Sequence, residues 1–179
     1  MSPPAIRELG PADAPAFHAL RLRALREHPE AFGRTPDEMD PVDVWARRLA
    51  DDAGSDRDVM LGAFEGATLV GMAGCHRETP VKQRHIAFIW GMYVAPEHRR
   101  AGLARALLQA AIARARAWPG LDQLWLDVVT ANTGARALYA ACGFTSMGIK
   151  RHALKVGDRY YDEEMMGLDV RPPVSGSGA

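Results

Sequence analysis

The chain has 179 residues, 47% hydrophobic and 25% charged, the composition of one globular domain with a real core. Its 22 Lys and Arg balance 22 Asp and Glu, which argues against a bulk field drawing it to nucleic acid or to an anionic membrane. No stretch approaches the ~18 apolar residues of a membrane span, and MSPPAIRELG shows no basic segment followed by an apolar run, so the expected compartment is the cytoplasm, with no nucleic-acid or membrane partner.

In chain order, AIREL (5–9) alternates as a short strand, and residues 12–27 place Phe17, Leu20, Leu22 and Leu25 on one helical stripe. The stretch from Glu27 to Asp43 is irregular and carries six acidic residues, Glu27, Glu30, Asp37, Glu38, Asp40 and Asp43, against Arg34. Helical spacing resumes over 42–50. Residues 59–78 form two apolar runs broken at Glu65-Gly66, a hairpin signal. HIAFIWGMYVA (85–95) is continuously apolar, as a central strand covered on both faces should be, and Pro96 stops it. An alanine-rich helix then runs to Trp118-Pro119-Gly120, followed by a strand (124–129), a helix from Thr133 to Cys142 closed by Gly143, and two strands (145–155 and 159–170) meeting across VGD.

The order β-α-α-β-β-β-α-β-α-β-β predicts an α/β fold: a mixed sheet with helices on its faces and a parallel strand pair within 85–129. Residues 1–170 read as one domain and RPPVSGSGA (171–179) as a disordered tail. Cys75 and Cys142 allow at most one disulfide and are expected as buried, reduced thiols. Neither they nor His76, His85, His98 and His152 show metal-ligand spacing, so no metal is expected.

The segment Arg99-Arg100-Ala101-Gly102-Leu103-Ala104-Arg105 opens the long helix directly after the apolar strand. A helix N-terminus offers unpaired N–H groups and the positive end of its dipole, a ready anion site. Gly102 and Ala104 keep bulk away from those amides, while Arg99, Arg100 and Arg105 add charge suited to phosphate. The expected guest is a pyrophosphate. No G-x-x-x-x-G-K-[ST] or G-x-G-x-x-G is present.

Those residues fit [QR]-x-x-G-x-[GA], and NTGARALYAACGF (132–144) fits N-x-x-A-x-x-L-Y-x-x-x-G-F at Asn132, Ala135, Leu138, Tyr139, Gly143 and Phe144. With these two blocks, in order and on these elements, the chain resembles the GCN5-related N-acetyltransferase (GNAT) family. The resemblance covers 5–170 by element order, with the firm matches inside 90–144. It implies a mostly antiparallel sheet of about seven strands, and transfer of an acetyl group from acetyl-CoA to a primary amine by direct attack in a ternary complex.

Carried over residue by residue, it places the backbone of Met92, Tyr93 and Val94 along the pantetheine arm, the 99–105 loop on the pyrophosphate, and the Met92 N–H as oxyanion donor. Gly91 would ease the divergence of the strand. Tyr139 matches the general acid for the departing thiolate. On its own spacing it is equally a core tyrosine, because Ala135, Leu138, Tyr139 and Cys142 share one apolar face. Asn132 suits either a helix N-cap or a bond to the pantetheine amide. The strand carries no carboxylate, so the general base is unassigned, with Asp127, Glu30, His85 or a water as candidates.

The acidic segment walls the acceptor site in proteins of this resemblance, which leads one to expect a cationic acceptor. A small amine, a protein amine (N-terminus or lysine), or a non-catalytic acyl-CoA sensor are the three readings left open. Dimers are common among proteins of this kind, so a homodimer is an expectation to test.

Overall fold

The computed structural model of the chain describes residues 5–171. Its strands are β1 (Ala5–Glu8), β2 (Asp58–Glu65), β3 (Thr68–Arg77), β4 (Ile86–Val94), β5 (Gln123–Val129), β6 (Thr145–Val156) and β7 (Arg159–Asp169). Its α-helices are α1 (Ala14–Glu27), α2 (Val42–Asp51), α3 (Leu103–Arg116) and α4 (Thr133–Ala141). Both sets follow the predicted order. Except for Arg171, the expected tail lies outside the described residues. Among the described residues, no helix is long and apolar enough to cross a membrane.

All seven strands join one sheet in the order β1-β2-β3-β4-β5-β7-β6. Every neighbouring pair is antiparallel except β4 and β5, which run parallel, as a strand-helix-strand unit requires. Helix α3 buries Leu107, Leu108, Ala111 and Ile112 on one face of the sheet, against Leu61, Ala87, Ile89, Leu124 and Leu126. On the other face α1 and α2 bury Phe17, Leu20 and Leu49 against Met60, Phe64, Met72 and Tyr93. Helices on both sides explain why β4 is apolar without alternation.

Two expectations of detail are corrected. On α1 the buried positions are Phe17, Leu20, Arg21, Ala24 and Leu25, whereas Leu22 is half-buried; an arginine takes the place expected of an apolar residue. Cys75 is buried and Cys142 half-buried, and both are free thiols.

Candidate active site

The site is opened by a failure of pairing. β4 and β5 are in register only at Ile86↔Gln123, Ala87↔Leu124 and Phe88↔Trp125, and beyond Phe88 they diverge. A β-bulge lies in the diverging half: the β3–β4 register passes from Gly74↔Trp90 to Met72↔Tyr93, leaving Gly91 and Met92 opposite Ala73. Gly91 takes φ 65°, a left-handed conformation that glycine reaches without a Cβ penalty. The extra residue shifts the strand's parity. Trp90 packs toward α1, but Met92 packs with the α3 core and Tyr93 toward α1 again.

A cavity of about 720 Å³ is lined from this diverging edge by Met92, Tyr93 and Val94. Arg99, Arg100 and Ala104 line it from the loop and first turn of α3, and Asn132, Ala135, Leu138 and Tyr139 from α4 and its cap. The structure therefore brings together most of the residues singled out in the sequence. The others differ: Ala101, Gly102 and Arg105 are exposed beside the cavity, and the Leu103 side chain is buried in the core, so that its amide alone is available to a ligand.

Gly102 is the N-cap of α3 at φ 77°, and Arg100 also has a positive φ of 65°. Two left-handed residues two positions apart curl the backbone into the concave form whose N–H groups bind anions. Space above Gly102 is open, since an added Cβ would meet nothing within 4 Å. Arg99 is braced rather than free. Its Nε donates to the Val94 carbonyl at 2.9 Å, and its Nη2 stands 3.1 Å from His28 Nε2.

At the other end, Tyr139 is 7% exposed and packs edge-on to Phe144 with ring centroids 6.1 Å apart. Burial alone pushes its phenol up to about 12. The residue belongs to the core and also lines the cavity. Asn132 caps α4, its Oδ1 accepting from the Ala135 N–H at 3.1 Å. Tyr93 has a separate duty: its hydroxyl donates to Glu27 Oε2 at 2.6 Å, tying β4 to the end of α1. Burial, and then that bond, push the Tyr93 phenol up to about 12.

Residues 20–144 match the sequence profile of the acetyltransferase (GNAT) family. The chain belongs to the GNAT family. It is 33% identical over 156 residues to an aminoglycoside N(6')-acetyltransferase type 1 of Stenotrophomonas maltophilia, a match spanning 80% of this chain and 87% of that protein. It is 34% identical over 135 residues to a mycothiol acetyltransferase of Thermobispora bispora, there covering 74% of this chain but only 43% of its relative. Among solved structures, a GNAT acetyltransferase from Streptococcus pneumoniae superposes with a TM-score of 0.85 at 26% identity, covering 93% of this chain and 99% of that one. A putative acetyltransferase from Salmonella typhimurium, solved with its cofactor acetyl-CoA, gives 0.84 at 21% identity, covering 99% and 100%. The chain is thus a GNAT-type N-acetyltransferase with the family's mostly antiparallel sheet.

Within this GNAT chain much of the acidic segment is paired locally. Glu27 accepts from Arg23 at 2.7 Å, Asp40 from Arg48 at 2.7 Å and Asp43 from Arg47 at 3.2 Å. Glu38 bonds the N–H and hydroxyl of Thr35 in its own turn. Of the six carboxylates, only Glu30 lines the cavity, with Oε1 3.6 Å from His28 Nδ1. Among the base candidates, Asp127 is held by Lys150 Nζ at 2.5 Å. His85 precedes Ile86 at the paired end of β4 and does not line the cavity, since five residues of strand separate it from Gly91.

Three polar or aromatic residues of the cavity were missed in the sequence: His28, Phe32 and Tyr161. They reach the cavity from irregular chain or from the distant β7, for which no local spacing is diagnostic.

Proposed function

We propose that this protein acetylates a small primary amine with acetyl-CoA by direct attack in a ternary complex. The observation carrying this reading is the cavity on the unpaired edge of β4, lined both by the anion-ready loop and by Tyr139. The residues present fit acetyl-CoA: a diphosphate meets the concave amides and Arg100, and an extended pantetheine arm meets strand backbone that lacks a partner. Acetyl-CoA supplies the activated acyl group. The Met92 N–H serves as oxyanion donor, a backbone dipole fixed before reaction where negative charge grows. Tyr139 donates its phenolic proton toward the departing sulfur. Asn132 and Ala135 shape the wall beside it.

A small acceptor is favoured by how closely the 28–33 segment approaches β6. A methyl placed on Gly33 would lie 4.0 Å from Leu154, a proximity that supports a bounded acceptor space over a long peptide groove. Thiol release from acetyl-CoA, followed with a panel of small amines and of peptide amines, tests the reading. Release that depends on a small amine is expected. Binding of acetyl-CoA with no release for any amine would make the protein a sensor, and turnover with peptides alone would move the acceptor to a protein amine.

A further inference from the structure

A second cavity, of about 530 Å³, lies on the α1 and α2 side of the sheet, between Trp45, Trp90 and Arg21. Arg21 is 7% exposed, and its Nη1 is wholly buried with no hydrogen-bond partner among the described residues. The charge that perturbs it is another cation, Arg34, which also lines this cavity. Burial, with Arg34 second, lowers its pKa to about 10. Taking an ion out of water without a counter-charge costs several kcal/mol, and a buried charge is normally paired. The guanidinium does rest on aromatic faces, 4.5 Å from the Phe32 ring centre and 5.7 Å from that of Trp90. Those contacts use its π face and leave the in-plane Nη1 donors unmet.

Its position relates the two cavities. Phe32 lines the cavity assigned to acetyl-CoA, whereas Trp90 lines the second. Nη1 stands 3.5 Å from where a Cβ would lie on Gly91, the bulge residue next to Met92. The unmet donor therefore lies beside the bulge, one residue from the Met92 amide proposed as oxyanion donor.

We propose that Arg21 anchors a carboxylate of the acceptor, and that the acceptor is an α-amino acid or a similarly small amine with a carboxylate on the adjacent carbon. This deepens the acetyl-transfer reading and rests on it. One carbon separates the two groups in such a molecule, so a carboxylate held by Arg21 keeps the amine nitrogen within about 3 Å of itself, beside Gly91 and Met92. Arg suits the task because its planar fork meets both carboxylate oxygens. The second cavity is also lined by Glu38, Asp40, Asp52 and Asp58, which disfavours a second carboxylate on the acceptor's side chain. A polycationic aminoglycoside would bring positive charge to a buried arginine and leave its donors unmet.

The test compares matched acceptors, L-methionine with L-methioninamide and L-phenylalanine with its amide, together with an aminoglycoside, in the wild type, Arg21→Met and Arg21→Lys. Calorimetry of acetyl-CoA binding accompanies each. The amide nitrogen partner is the less basic amine and is freer at neutral pH, so intrinsic reactivity favours it. Wild-type kcat/KM is nevertheless expected to favour the acid by about 10- to 100-fold, the worth of a hydrogen bond to a charged group. Arg21→Met should abolish the preference by raising the acceptor KM while acetyl-CoA affinity holds, and Arg21→Lys should keep part of it. An acid-to-amide ratio near one in the wild type, or one unchanged in a folded Arg21→Met, overturns the proposal while leaving acetyl transfer intact. Should Arg21→Met fail to fold, the wild-type ratio decides. A wild type that does not bind acetyl-CoA overturns both readings.

Discussion

Tyr139 is a core residue that also lines the cavity, two positions that its sequence spacing presented as rivals. Its ring is a piece of core against Phe144, and its buried phenol is held at about 12. That value lies above an ordinary thiol near ~8.5, so full transfer to a thiolate would be uphill, and the proposed acid would help through a hydrogen bond that strengthens as charge grows on sulfur. The loss on Tyr139→Phe should therefore fall near the lower end of the usual 10²–10⁴-fold range, about 10²-fold in kcat, with the KM for acetyl-CoA nearly unchanged. A thioester with a more acidic leaving thiol should be less sensitive. Near wild-type kcat, with chemistry shown to be rate-limiting, would leave Tyr139 as packing alone. Stability adds a second readout: folding raises this phenol, so its contribution is whole below about pH 10 and fades as pH rises through about 12. Tyr139→Phe should track the wild-type melting curve at neutral pH and gain on it only in strong alkali. Arg21 shows the opposite case of legibility. A lone arginine on an amphipathic helix ordinarily lies on the solvated face, and its lack of a counter-charge depends on Phe32, Arg34 and Trp90, which only tertiary packing brings near it.

At the scale of elements, periodicity and punctuation were enough to order the strands and helices, because apolar runs and their breakers are local. The parallel pairing of β4 with β5 was also legible, since a helix between two strands has few other solutions. The bulge was not. HIAFIWGMYVA reads as an uninterrupted strand, and the parity change at Gly91 and Met92 depends on their standing together against Ala73 of β3. The start of α3 was legible, because an arginine pair and a glycine after a strand have a physical purpose there. Gly102→Glu tests that purpose. Its new side chain enters open space, so the structural cost is the left-handed backbone, about 1–2 kcal/mol, while its carboxylate occupies and repels the phosphate site. Calorimetry should show acetyl-CoA binding lost in a protein that melts cooperatively a few degrees lower. Wild-type affinity in that variant would place the phosphates elsewhere.

For the molecule as a whole, charge is spent on local pairing, and this governs its response to pH. Hydrogen bonds to arginines hold Asp13, Glu97 and Glu164 below the usual carboxylate range, to about 2 for Glu97. Such groups contribute stability above their unfolded pKa values and lose it as pH falls through the folded ones. Asp52 runs the other way. It is the C-cap of α2, where the helix dipole is negative, and burial, followed by Asp58 and Asp51, raises it from 3.8 to about 6. At neutral pH it is therefore ionised in a setting that favours its protonated form. Relative to an isosteric neutral group, it costs stability above about pH 6, less between 6 and 3.8, and nothing below. Asp52→Asn should stabilise the protein at pH 7 by about 1 kcal/mol, a figure reduced from the full shift because the group is partly solvated. That corresponds to a rise of roughly 2–4 °C in melting temperature. The gain should shrink through pH 5 and vanish near pH 3.5, as measured by paired thermal melts across that range. A gain independent of pH would mean that the substitution acts through packing or hydrogen bonding at the helix end, and no gain at pH 7 would mean that Asp52 is fully solvated.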